Sequence, residues 1–110
     1  MVRCICIDSK NRPHEIPKSM WIKTDELYKI THIFYHPNQG IQGVSIYEKP
    51  LDETCAPYES FRLSRFAILI EDLDKFIELI KSCTDLNDVQ IEALMTEIEF
   101  DEYLENSTLK

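Results

Sequence analysis

Glycine is almost missing from this chain: Gly40 and Gly43 are the only two in 110 residues, and neither glycine nor proline occurs after Pro57. A stretch without either residue lacks the strongest helix breakers, so the last third of the chain is free to be helical. No apolar run approaches the ~18 residues of a membrane-spanning helix. The opening Met1–Lys10 segment lacks the apolar stretch of about 7–15 residues that marks a signal peptide. A cytoplasmic protein without a membrane partner is therefore expected. The four cysteines, Cys4, Cys6, Cys55 and Cys83, form no CxxC pair and no metal-finger spacing, so reduced thiols are expected. Basic residues are also scarce: twelve Lys and Arg stand against twenty Asp and Glu, for a net charge of -8. Because phosphate neutralisation dominates affinity for nucleic acid, direct nucleic-acid binding is not expected.

What is present divides at Ile70. Residues 1–70 hold nine Lys/Arg and eight Asp/Glu, whereas residues 71–110 hold three against twelve, so the chain is a near-neutral front with an acidic back. A hydrophobic content of 44 % with 29 % charged residues suits one globular domain, burying roughly 60–70 % of its unfolded surface. Residues 1–70 read as a β-rich region and 71–110 as an acidic helical hairpin, together one domain.

Val2–Ile7 alternates strand formers and ends at the turn-rich Asp8–Pro13. His14–Glu26 has no steady period and reads as a long ordered loop pinned by Trp21. Tyr28–His36 and Ile41–Glu48 are strands joined by the Pro37–Gly40 turn, and after a Pro-bearing loop Phe61–Ile70 is strand-like again. The front is thus three to five short antiparallel strands. Beyond it Leu73, Phe76, Ile77, Ile80 and Cys83 recur at spacings of three and four, with acids in the first turn. Asn87 with Gln90 is a capping-box variant opening a second helix, whose stripe is Ile91, Leu94, Met95 and Ile98. The two stripes are expected to face each other, while Phe100, Tyr103 and Leu104 fall outside and the last residues fray.

CICID at Cys4–Asp8, IPKSMWIK at Ile16–Lys23, YKITH at Tyr28–His32, HPNQGIQGV at His36–Val44 and CAPYESFRLSRFA at Cys55–Ala67 form a recognisable series. Over about residues 2–69 it resembles a group of short, uncharacterised proteins encoded in bacteriophages and mobile elements. The resemblance implies a small antiparallel SH3-like β-barrel, here followed by a C-terminal helical hairpin, in an α+β fold. It brings no catalytic residues with it.

Candidate chemistry is thin. His32 and His36, four apart on a strand, share a face at about 13 Å, too far for one metal ion. Cys4 and Cys6 share a face at about 6–7 Å but lack further ligands, and buried structural cysteine is the common case. A Cys55–His36 nucleophile pair has no visible orienting residue. No metal, cofactor or enzymatic activity is expected. Trp21, Tyr28, Tyr35, Tyr47 and Tyr58 are candidates for an aromatic groove that takes an extended peptide, or else they fill the small core. Arg62 and Arg65 face opposite ways on a strand, and one is expected to pair with Asp8 or Glu48. Asp85, Asp88, Glu92, Glu97, Glu99, Asp101, Glu102 and Glu105 make either a solvated outer face or a surface for a basic partner, with Glu97, Asp101 and Glu105 the chosen test positions. The expected function is a non-enzymatic protein–protein interaction module of phage or mobile-element type that modulates a host protein, with self-assembly left open. The alternatives are an acidic inhibitor that mimics nucleic acid and a small enzyme or metabolite binder.

Overall fold

In the computed structural model, which describes residues 1–101, the alternating Val2–Cys6 segment forms β1 at the centre of a five-stranded sheet. Such a strand needs partners on both edges, and it finds them: Cys4 lies opposite Tyr28 of β2 (Leu27–His36) and opposite Ile68 of β4 (Phe66–Leu69). Next to β2 lies β3 (Gly40–Ile46), reached through a turn in which Gly40 adopts φ +78°, a left-handed conformation that glycine takes without a Cβ penalty. With β5 (Phe100–Asp101) the order is β3-β2-β1-β4-β5, and the first four strands are antiparallel neighbours.

The fifth strand corrects the expectation of an all-antiparallel front followed by helices alone. Phe100–Asp101, from the acidic back, forms β5 and runs parallel to β4, with Ile68 opposite Phe100. The Ile68 N–H donates to the Glu99 carbonyl at 2.8 Å, so the edge of β4 gains a backbone partner from the acidic back.

The fold is α+β, and its five-stranded sheet is mixed and not closed into a barrel. The outer edge of β3 meets the chain again at one place, where Val44 and Phe61 exchange two backbone hydrogen bonds of 2.8 and 3.0 Å. Gly43 makes this approach possible, because a Cβ there would lie 2.2 Å from Ser60 Oγ and 2.9 Å from the Phe61 carbonyl oxygen. Phe61–Ile70 is accordingly not one strand: a 3-10 turn at Leu63–Arg65 separates the β3 contact from β4.

The long first loop is ordered by burial of Ile16, Trp21 and Ile22. The Trp21 indole N–H donates to the Ser9 carbonyl at 2.8 Å, and Lys23 N–H donates to the Tyr28 hydroxyl at 2.8 Å. The loop thus covers part of the core that contains Val2, Cys4, Ile30, Val44, Phe61 and Phe66.

Helix α1 (Leu73–Cys83) buries Phe76 and Ile80 completely and packs against β1, β2 and β4. Its entry is held by Asp72, which is 1 % exposed and accepts three hydrogen bonds from Arg3: from the backbone N–H at 2.8 Å, from Nε at 2.9 Å and from Nη2 at 2.7 Å. The Arg3 hydrogen bonds hold the Asp72 carboxyl below its ordinary range, against the desolvation that pushes it up. Helix α2 (Asp88–Met95) opens with the expected capping box: Asn87 Oδ1 accepts from Gln90 N–H at 2.8 Å, and Gln90 Oε1 accepts from Asn87 N–H at 2.9 Å. It ends at Met95, before Ile98, because the chain turns there to reach the edge of β4.

Candidate functional site

The expected helical hairpin is open. Leu73 and Ile77 of α1 lie across from Ile91 and Met95 of α2, but with Ile70 and Phe100 they line a groove of ≈ 630 Å³ instead of filling one another's space. The reason lies in the two helix axes' separate obligations. Helix α1 gives its best apolar residues, Phe76 and Ile80, to the sheet, whereas α2 is only eight residues long and buries Ile91 alone. The sequence pattern showed the two stripes correctly but read them as a closed interface. Ile70 at 44 % and Val89 at 76 % exposure add apolar surface at the turn into α1 and on α2.

Carboxylates border this groove. Asp88 and Glu92 line it directly, and Glu71 and Asp74 stand exposed at the entry and first turn of α1. Residues 71–101 contain ten Asp/Glu and two lysines, Lys75 and Lys81. Lys81 Nζ is 3.3 Å from Asp88 Oδ1, and Lys75 Nζ is 4.0 Å from buried Asp72. The lysines therefore answer only a small part of the local negative field.

The five aromatic candidates do not share one groove. Tyr28 is 3 % exposed in the core, and its hydroxyl donates to Glu26 at 3.0 Å while accepting from Lys23, so burial removes it from any partner. Trp21 and Tyr58 do line one shallow pocket, of ≈ 270 Å³, together with Arg62 and Arg65. Trp21 is largely buried there, and the Arg65 guanidinium stands 5.0 Å from the centroid of its ring. Tyr47 is exposed beside Lys29, whose Nζ is 5.5 Å from its ring centroid. Tyr35 sits apart, next to Leu86, Leu94 and Glu97. The dispersal follows from the sheet: these residues belong to different strands and loops, and pleating with a register shift in β2 sends them to different surfaces.

Of the acidic test positions, Glu97 is exposed next to Leu94, Asp101 is half-buried in β5, and Glu105 lies with Glu102 outside the described residues. Tyr103 and Leu104 lie outside them as well. Asp85 and Glu99 are exposed. Arg65 makes the expected pair with Asp8 at 3.5 Å, from the 3-10 turn rather than from a strand, while Glu48 is taken by Lys29 at 2.8 Å.

Cys4 and Cys6 take the buried structural place expected of them, and Cys55 and His36 do not meet. Cys4, Cys6 and Cys55 are fully buried, and burial pushes the Cys4 and Cys6 thiols up. Cys55 faces Met20, Asp52 and Thr54, not His36, whose Nδ1 accepts from the Asn38 N–H at 3.2 Å. His32 instead meets Cys83, with Nδ1 3.4 Å from Sγ. Nothing in the sequence links those two, which are 51 residues apart. Among the described residues no group of three or more His, Cys, Asp or Glu is placed to hold a metal ion, and no helix is long and apolar enough to cross a membrane. No family model, curated protein or solved structure matches the chain.

Proposed function

We propose that the protein is a non-enzymatic interaction module that holds an apolar, positively charged helical segment of another protein in the groove between α1 and α2. The observation that carries the reading is the apolar groove formed by exposed Ile70 and half-buried Leu73, Ile77, Met95 and Phe100 over buried Ile91, with Asp88 and Glu92 beside it. Apolar surface of this kind is costly to leave in water and is typical of a docking site, and a carboxylate border selects a cationic partner. The curled sheet, with its Val44–Phe61 bridge, supports reading the front as an SH3-like half-barrel that serves as the rigid base. With the resemblance to short phage and mobile-element proteins, the partner is assigned to a host cell and its activity is modulated by capture.

An amphipathic Leu/Lys helical peptide serves as probe, with the full chain followed by residue-resolved NMR. Saturable shifts at Leu73, Ile77, Ile91 and Met95, absent with a Leu/Glu peptide of the same pattern and lost in Ile77→Glu, are expected. Ile77 is only half-buried, so circular dichroism should confirm that the variant remains folded. Four results would overturn the reading: no shift at the groove, equal binding of the acidic peptide, binding that appears only after residues 102–110 are deleted, or a concentration-dependent dimer disrupted by Ile77→Glu. The third assigns the groove to the chain's own tail and the fourth to a second copy.

A further inference from the structure

Four thiols occur in this chain, and three of them, Cys4, Cys6 and Cys55, are fully buried. Cys83 is different in place and in company. It ends α1, is partly exposed, and has its Sγ 3.4 Å from Nδ1 of His32 on β2, within hydrogen-bond reach for sulfur. The imidazole is itself oriented, since the Phe34 ring stands edge-on to it at a centroid distance of 4.7 Å and an interplanar angle of 76°. Ser82 Oγ lies 3.8 Å from the same sulfur. Thiol–disulfide exchange requires an accessible sulfur and a route to its thiolate; Cys83 has the first, and His32 Nδ1 within hydrogen-bond reach supplies the second, while the Ser82 hydroxyl is spent on the Leu79 carbonyl at 2.8 Å.

We infer that Cys83 with His32 is a thiol-modification site that forms a mixed disulfide with low-molecular-weight disulfides of the oxidised-glutathione class. In the tautomer protonated at Nε2, His32 Nδ1 takes the proton from Cys83. The resulting thiolate attacks one sulfur of the small disulfide, forming a new S–S bond as the old one breaks. The departing thiolate leaves with the electron pair of the broken bond and recovers the proton from the imidazolium. Cys83 is oxidised, one half of the small disulfide is reduced, and no other reactant is consumed. Cys4, Cys6 and Cys55 are outside this chemistry because no disulfide can reach a fully buried sulfur.

The native full chain is treated with one equivalent of 5,5′-dithiobis(2-nitrobenzoate), itself an aromatic disulfide, and then in parallel with oxidised glutathione, each followed by peptide mapping. One fast-reacting thiol, mapped to Cys83 and absent in Cys83→Ser, is the expected result. His32→Gln keeps a polar side chain of similar reach but no base, and it should slow the reaction at least about tenfold with an unchanged melting midpoint. Phe34→Leu, which frees the imidazole without removing it, should give an intermediate rate. Labelling at Cys4, Cys6 or Cys55, a Cys83 rate no faster than in the chain unfolded in denaturant, or a His32→Gln rate equal to that of the unaltered protein would each overturn the inference.

Discussion

The two helices of the acidic back carry similar sequence signals and do opposite things. Both open beside acids and both present an apolar stripe, yet α1 sinks Phe76 and Ile80 into the core while α2 leaves most of its surface in water and buries Ile91 alone. The difference lies in what each helix meets. Helix α1 lies across β1, β2 and β4, a platform whose residues Val2, Ile30 and Ile68 are themselves fully buried. Helix α2 reaches the core through buried Ile91, with Leu94 and Met95 only partly buried against it, and the strand β5 that follows ties its far end to the sheet. Amphipathicity therefore states that a helix has something to cover, and the cover itself depends on which other element has surface left. One helix is a structural wall and the other one side of an open groove.

Breaking the wall should do the most damage. Phe76→Ala leaves a cavity at a fully enclosed position and is expected to cost about 3–5 kcal/mol, against about 2 kcal/mol for Ile91→Ala in α2, where the surroundings are looser. Denaturation midpoints of the two variants test the comparison directly, and equal losses would erase the distinction drawn between the helices.

Next in size is the anchor of α1. Arg3→Ala should cost about 3 kcal/mol, at the low end for breaking a buried pair because Arg3 is 39 % exposed while Asp72 is 1 % exposed. The pH dependence has a definite sign. Asp72 has a lowered value in the folded state, so the unfolded chain binds the proton first as acid is added. Its stabilising contribution is complete above the ordinary aspartate value of 3.8 and disappears as pH falls through the lower folded value. The gap in urea midpoint between the unaltered chain and Arg3→Ala should be full at neutral pH and narrow progressively as pH falls below 3.8; a gap that stays constant through this acid range would show that Arg3 acts through packing.

A third expectation concerns the front. Gly43→Ala must displace Ser60 or the Phe61 carbonyl, and a cost of about 1–3 kcal/mol is expected. Faster amide exchange at Val44 and Phe61 should accompany it, since those two groups make the one bridge across the open edge.

The smallest effect on stability, and the sharpest on the proposed docking, belongs to Asp88→Lys with Glu92→Lys. Each reversal should cost about 1 kcal/mol or less, Asp88→Lys the more of the two because Asp88 opens α2 and pairs with Lys81. Association with the Leu/Lys peptide should nevertheless slow markedly and lose its dependence on salt. Glu97→Lys, near Tyr35 and away from the groove, is the matched control and should leave that rate nearly unchanged.

Much of the architecture was written in local pattern. The strand of Val2–Cys6, the turn at Gly40, the start of α1 after Ile70 and the Asn87–Gln90 capping box each follow from interactions spanning a few residues, where residue type and spacing state the physics almost completely. Charge segregation was equally legible. Tertiary structure alone decided the rest. Whether β4 would have a free edge, and hence whether Phe100–Asp101 would become a strand instead of more helix, depended on an edge more than thirty positions away. The burial of Tyr28, the open space between Ile77 and Ile91 and the meeting of His32 with Cys83 arise in the same way. Each is set by competition among distant surfaces for a limited platform, and side-chain periodicity, which records only the chain's own helix or strand geometry, carries no term for who wins that competition.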